Sequence, residues 1–497
     1  MNIKQAKDSI KQTVAMYLKK NKLGDYCIPV VRQRPVFLLG APGVGKTAIM
    51  EQIAQELGIA LVSYSMTHHT RQSAIGLPFI KEREYEGETF DVTEYTMSEI
   101  IASVYETMSE SGIKEGILFL DEINCVSETL YPSMLQFLQY KVFGRHKVPE
   151  GWVIVTAGNP PEFNRSVREF DVAVLDRLKV MEVEPDYSVF REYASVSRLH
   201  PAITDFLDMK RDYFYKIENS AKGRSYVTAR GWEDLSEMIC LIEDEGGLAD
   251  DELIGQYLKN EKVVREFGAY YELYNKYKRD YHVAEILKGE AGEDVVRRAS
   301  AAAFDERLSL LSMLMDKVIT DMRENIRTAD VYSGVAPVLK TCEGLEAKEI
   351  RDRLDKAQSA SRSRIKGLGR ANSLSHEEEA KLKGTLILLD ELGKKSMSEG
   401  ESYELIKAEF NRLVGELRNE SKLISDELHN LFVFCEKAFE GDNEMLILVT
   451  ELTVNPHSSK FIARFGSLDY DKHQDELMVS ERTSDLQMEA KEILGMQ

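Results

Sequence analysis

The stretch Phe37 to Met50, FLLGAPGVGKTAIM, passes from an apolar run through glycines to a lysine, a threonine and the start of an amphipathic helix. Few folds admit that order. A strand apolar on both faces, followed by a tight turn and a helix packed back against it, belongs to a parallel sheet covered by helices. Gly40, Gly45, Lys46 and Thr47 fit the spacing GxxxxGK[ST]. In that motif the loop Gly40, Ala41, Pro42, Gly43, Val44 and Gly45 cradles anionic phosphate at the helix N-terminus. Lys46 is expected to reach the β and γ phosphates, and Thr47 to offer its hydroxyl to magnesium. The loop by itself does not say what work the nucleotide does.

Two further stretches narrow the chemistry. GILFLDEIN sets the apolar residues Ile117 to Leu120 before Asp121 and Glu122, so two carboxylates emerge where a parallel sheet presents its ligands. Asp121 is placed to hold the magnesium shell with Thr47, and Glu122 to polarise an attacking water in line with the γ phosphate. A kinase has no need of that second carboxylate, whereas a hydrolase does. GWVIVTAGNPP brings Asn159 to the tip of another apolar strand, where an amide can hydrogen-bond the attacking water and sense the γ phosphate.

From Val30 to about Val183, the apolar runs PVFLLG, IALVSYSM, GILFLDEIN, GWVIVTAGN and LKVMEVE alternate with helical segments, which predicts a parallel sheet with helices on both faces. From Tyr187 onward strand-like runs almost vanish and charged segments of helical period take over, with breaks near Gly247 and Lys394. Phe267, Tyr270, Tyr271, Tyr274, Tyr277 and Tyr281 fall on one helix face and read as a packing stripe. Ser375 with Glu378 forms a capping-box signature, and residues 402–439 read as one long amphipathic helix, together suggesting a helical hairpin or arm.

The 497 residues carry 64 Lys plus Arg against 84 Asp plus Glu, a net charge of −20. An acidic surface of this kind disfavours an extended nucleic-acid footprint, although Lys141, Arg145, His146 and Lys147 make one compact basic tip. The cysteines are five, widely spaced and without a CxxC pair, so neither a disulfide framework nor a zinc site is indicated. His68, His69 and His146 lack a carboxylate or cysteine at ligand spacing and read as polar loop. No secretion signal and no uncharged run long enough to insert in a membrane is visible, and the expected setting is the reduced cytoplasm.

Taken in order, the phosphate loop, LDEIN, TAGNPP, VLDRL and VTARGWEDL resemble the AAA+ ATPases over about residues 25 to 245. Within them the segment between Tyr64 and Glu115 and the stretch KVFGRHKVPEGW are similar to the insert and β-hairpin of the MoxR-like branch. AAFDERLSLL and FIARFGSLDYDKHQDELMVSER are similar to tails of MoxR-like proteins. The resemblance implies an α/β AAA+ core over residues 1–185, a helical lid over 186–245 and a mainly helical C-terminal region over 246–497. It gives Arg177 the role of an arginine finger reaching a neighbouring subunit, and Arg230 that of a lid arginine reporting the γ phosphate. Arg165 and Arg168 become further contacts across the subunit boundary. ATP with magnesium is the implied cofactor, although nothing in the sequence reads the base and relatives with a similar insert use GTP.

The implied assembly is a homo-oligomer, a hexameric ring, acting as a chaperone-like ATPase on a protein client such as a von Willebrand A domain protein. Two rival readings stand beside it: a nucleic-acid-associated NTPase, and a nucleotide-gated scaffold with little turnover.

Overall fold

The five apolar runs form five parallel strands: β1 (Val36–Gly40), β2 (Ala60–Ser65), β3 (Gly116–Asp121), β4 (Trp152–Gly158) and β5 (Lys179–Val183). This computed structural model describes residues 1–68, 71–143, 145–164, 166–197, 199–220, 223–398, 403–439 and 442–476. His69, Arg165, most of the break after Lys394 and the end of the tail from residue 477 lie outside the described residues. The strands hydrogen-bond in the order β2, β3, β4, β1, β5, so the sequence expectation of one parallel sheet holds. Every residue of β4 is buried, as is every residue of β3 except Asp121. A sheet with both faces covered can place polar groups only beyond its strand ends. The C-terminal ends of β1, β3 and β4 therefore lie side by side and carry Gly40, Asp121 and Gly158.

Two short hairpins leave this unit. Pro78–Tyr85 pairs with Glu88–Tyr95 through a two-residue turn in which Glu86 (φ 50°) and Gly87 (φ 87°) are both left-handed. Such a turn matches the right-handed twist of the strands it joins. Val142–Phe143 pairs with His146–Lys147 just before β4, in the stretch read as a hairpin.

The chain divides into two compact units, one of residues 1–189, 228–230 and 358–382, the other of 190–227, 231–357 and 383–497. The second unit is helical but for one antiparallel pair, Lys216–Ser220 with Gly223–Val227, which the charged sequence did not signal. Its largest core joins Leu310, Leu314, Val318 and Met322 of the helix Phe304–Lys340 to Leu428, Leu431, Phe432 and Cys435 of the helix Tyr403–Ala438. The aromatic stripe is a packing face. Phe267, Tyr271, Tyr274 and Tyr281 are almost wholly buried, and Phe267 meets Trp232 and Phe206 edge to face.

Residues 358–382 belong to the α/β unit although they lie far along the chain. They span the turn between the helices Ala347–Arg370 and His376–Ser398, the second of which is capped by Ser375 Oγ accepting the Glu378 amide at 3.2 Å. Glu378 itself turns to Arg364, so only half of the expected box forms. The turn closes the outer edge of β2. Leu61 donates its amide to the Ala371 carbonyl at 2.8 Å, and its own carbonyl accepts from Asn372 Nδ2 at 3.2 Å. Ala371 is fully buried in the sheet's hydrophobic core, Asn372 sits at φ 48°, and Arg370 pairs with Glu110 at 3.2 Å.

A carboxylate at this buried position would have no partner. Ala371→Asp is therefore expected to destabilise the α/β unit by about 3 kcal/mol and to release the Leu61 amide from hydrogen-exchange protection. Unchanged protection at Leu61 would show that the turn is not what shields this edge.

Candidate nucleotide site

After β1 the chain curls through Ala41 to Thr47 and enters the helix Ala48–Leu57. Gly43 (φ 75°) and Gly45 (φ 90°) occupy the left-handed region, which a side chain disfavours. Gly43 is tight for a second reason, because a Cβ there would come within 3.0 Å of Thr228 Cβ. No side chain caps the helix at Thr47, whose hydroxyl donates instead to Asp121 Oδ2 at 3.2 Å. The helix N-terminus is thereby left to the loop, the arrangement that attracts an anion.

Lys46 is 8 % exposed, and its ammonium donates to the carbonyls of Gly40 (2.7 Å) and Ala41 (2.8 Å) and to Asn159 Oδ1 (2.9 Å). Burial pushes its pKa down to about 8, Asp121 and Glu122 pull it back up, and the charge of Arg230 presses it further down. A cation poised in this way gains when a negative charge arrives.

Asp121 ends β3, and its Oδ1 accepts the amide of Glu122 at 2.8 Å. That bond helps hold Glu122 at φ 55°, a left-handed conformation unusual for a glutamate. The Glu122 carboxylate is anchored from β2: its Oε2 accepts from Ser65 Oγ and Thr67 Oγ1, both at 3.0 Å. Ser65 and Thr67 were not singled out in the sequence. Hydroxyls following an apolar run are common, and only the β2 to β3 pairing, Ser65 opposite Asp121, brings them to this glutamate.

Lys46, Thr47, Asp121, Glu122, Asn159 and Arg230 thus form one cluster at the ends of three adjacent strands. Arg230 is exposed in the first turn of the helix Ala229–Asp244. Arg177 forms no hydrogen bond or ion pair with any of these residues. It is exposed just after the helix Val172–Leu175, and among the described residues no carboxylate pairs with its side chain, Asp176 included. Arg168 pairs with Glu128.

The Thr47 hydroxyl and Asp121 carboxylate are hard oxygen donors and suit magnesium, which takes one or two protein oxygens and fills its shell with phosphate and water. Among the described residues no group of three His, Cys, Asp or Glu could hold a metal unaided. The basic tip is largely consumed within the fold. Lys141 is 4 % exposed, with its pKa pushed down by burial to about 8, Arg145 pairs with Glu94 at 3.1 Å, and His146 bonds the Tyr95 carbonyl at 3.3 Å.

Residues 36–175 match the family model described as ATPase family associated with various cellular activities (AAA), so the chain carries a domain of AAA type. The match contains the phosphate loop, Asp121, Glu122 and Asn159, and ends before Arg177 and Arg230. No curated protein matches the chain.

Phosphate beside Lys46 raises its pKa, so nucleotide binding should take up protons near pH 8. Affinity is expected to be level below pH 8, where the ammonium is already charged. Above it affinity should fall about tenfold, or ~1.4 kcal/mol, per pH unit until the raised pKa is reached. Calorimetry at pH 8 in buffers of different ionisation enthalpy should read about half a proton taken up per nucleotide. Zero uptake together with flat affinity to pH 9.5 would contradict this electrostatic picture.

Proposed function

We propose that the chain is a magnesium-dependent ATPase that acts as a ring and remodels or matures a protein partner, in the manner of the MoxR-like branch that its sequence resembles. The observation that carries this reading is the convergence on one sheet edge of Lys46, Asn159, the Thr47–Asp121 pair and Glu122. In this reading Lys46 and the loop bind the β and γ phosphates, and Thr47 and Asp121 hold magnesium. Bound there, the metal would neutralise charge on the phosphate oxygens. Glu122 takes the proton of the attacking water, and Asn159 orients that water and reports the γ phosphate.

The ring is supported by Arg177, an exposed guanidinium without a carboxylate partner in its own chain. Such a group is available to a nucleotide bound by a neighbour. Arg230 presses on the charge of Lys46 from the start of a helix whose remainder, from Gly231, belongs to the second unit, so a nucleotide that engages it can be felt there. A protein client, with a von Willebrand A domain protein as the first to try, fits better than nucleic acid, because Lys141 and Arg145 are not free to meet a phosphate backbone. No helix among the described residues is long and apolar enough to cross a membrane, and we place the protein in the cytoplasm.

Steady-state hydrolysis tests the reading. Lys46→Ala should abolish nucleotide binding, whereas Glu122→Gln should keep binding and lose turnover by about 10²–10⁴-fold. Arg177→Ala should bind ATP as the parent does and hydrolyse it about 10³-fold more slowly or worse. Mixing it with Glu122→Gln should restore turnover at interfaces where an intact Glu122 meets an intact Arg177. Full activity of Arg177→Ala alone would show a site complete within one chain, and undiminished turnover in Glu122→Gln would remove the proposed base. A parent that binds ATP tightly but does not turn it over would favour the scaffold.

A further inference from the structure

Asn124 lies two residues beyond Glu122, in the short turn of helix Ile123–Cys125 that leaves β3. It is 3 % exposed. Its Nδ2 donates to the main-chain carbonyl of Asn159 at 2.8 Å, and its own main-chain carbonyl accepts the Arg168 amide at 2.9 Å. Its Oδ1 has no protein hydrogen-bond partner among the described residues. A buried amide with an unmade bond is costly, and a residue chosen for packing alone would be apolar.

The backbone around Asn159 explains what the amide is for. β4 ends at Gly158, so the Asn159 carbonyl is beyond the ladder, and Pro160 and Pro161 follow with no amide hydrogen to anchor the turn. Gly158 is fitted to Asn124: a Cβ there would fall 2.4 Å from Asn124 Oδ1 and 2.7 Å from its Cγ. The Asn159 side chain then starts from a fixed peptide, and its Oδ1 meets Lys46 Nζ at 2.9 Å.

We propose that Asn124 is a positioning residue for ATP hydrolysis: it fixes the peptide of Asn159, and hence the amide that reads the γ phosphate, while its carbonyl ties the segment carrying Arg168 to the same point. The inference rests on reading the site as an ATPase with Asn159 at the γ phosphate. Misplacing a group by about 1 Å can cost a reaction about 10²-fold while leaving ground-state binding nearly intact.

The test measures kcat, ATP and ADP affinities and the thermal midpoint for the parent, Asn124→Ala, Gly158→Ala and the double variant. Asn124→Ala should lower kcat about 10- to 100-fold, keep ADP affinity within about threefold, and lose most of the preference for ATP over ADP. Gly158→Ala should reproduce that split by displacing the Asn124 amide. The double variant should be no worse than Asn124→Ala, because the truncated side chain makes room for the new methyl.

Should Asn124→Ala fail to fold, Asn124→Ser deletes the same hydrogen bond with a smaller cavity, and the same split is read on it. An active parent whose Asn124 variant keeps kcat and its ATP preference within twofold overturns the proposal and leaves the ATPase reading standing. Additive losses in the double variant overturn it as well, by making the two residues independent. A parent without turnover overturns the ATPase reading instead. In that case loss of the ATP over ADP preference in Asn124→Ala still supports the positioning role, and a retained preference removes it.

Discussion

The ammonium of Lys46 is the group on which the site depends. It is buried, its charge is met by no adjacent carboxylate bond, and its three donors are spent on two carbonyls of its own loop and on the amide of Asn159. The bond to Asn159 spans from the loop after β1 to the residue after β4, adjacent strands in the sheet. A desolvated cation held only by dipoles is a strained arrangement, as its lowered pKa records. The same strain makes the loop responsive, since phosphate oxygens can replace dipoles with full charge.

Around that cation the parallel sheet does the sorting. Strands buried on both faces must be apolar along their length, so chemistry is confined to the residues just past their C-terminal ends. This made much of the α/β unit legible in the sequence. VFLL, ILFL and WVIV mark strands by composition alone, and the polar residue after each run, or the loop in the case of β1, marks the site. The glycines at positions 43 and 45 were readable for the same reason, because the motif needs a backbone that only glycine adopts easily.

What stayed hidden depends on pairing between distant segments. Ser65, Thr67 and Asn124 are unremarkable in sequence, and each matters through a partner reached across strands: Glu122 for the first two, the Asn159 carbonyl for the third. Residues 358–382 show the same limit at larger scale. Their helical period says that one face is buried, but periodicity carries no address, and nothing in SLSHEEE announces that the preceding Ala371 and Asn372 close the edge of β2. The pair Lys216–Ser220 and Gly223–Val227 was missed for another reason. Its charged and small residues lack the apolar alternation by which a half-buried strand is recognised.

The closed edge of β2 and the anchored Glu122 meet on one element. Leu61, near the start of the strand, bonds outward to Ala371 and Asn372, while Ser65 at its end bonds Glu122. An edge strand held by one neighbour is the least constrained member of a sheet, because half of its main-chain groups have no ladder partner. The turn at Ala371 removes that freedom at the position where it closes the edge. A strand pinned there offers its terminal hydroxyls from a defined place, which is the requirement for holding a carboxylate by two short bonds at a backbone conformation that glutamate does not favour. The glutamate, the strand that anchors it and the distant turn that closes that strand therefore form one mechanical chain, each link fixed by hydrogen bonds that the linear sequence does not display.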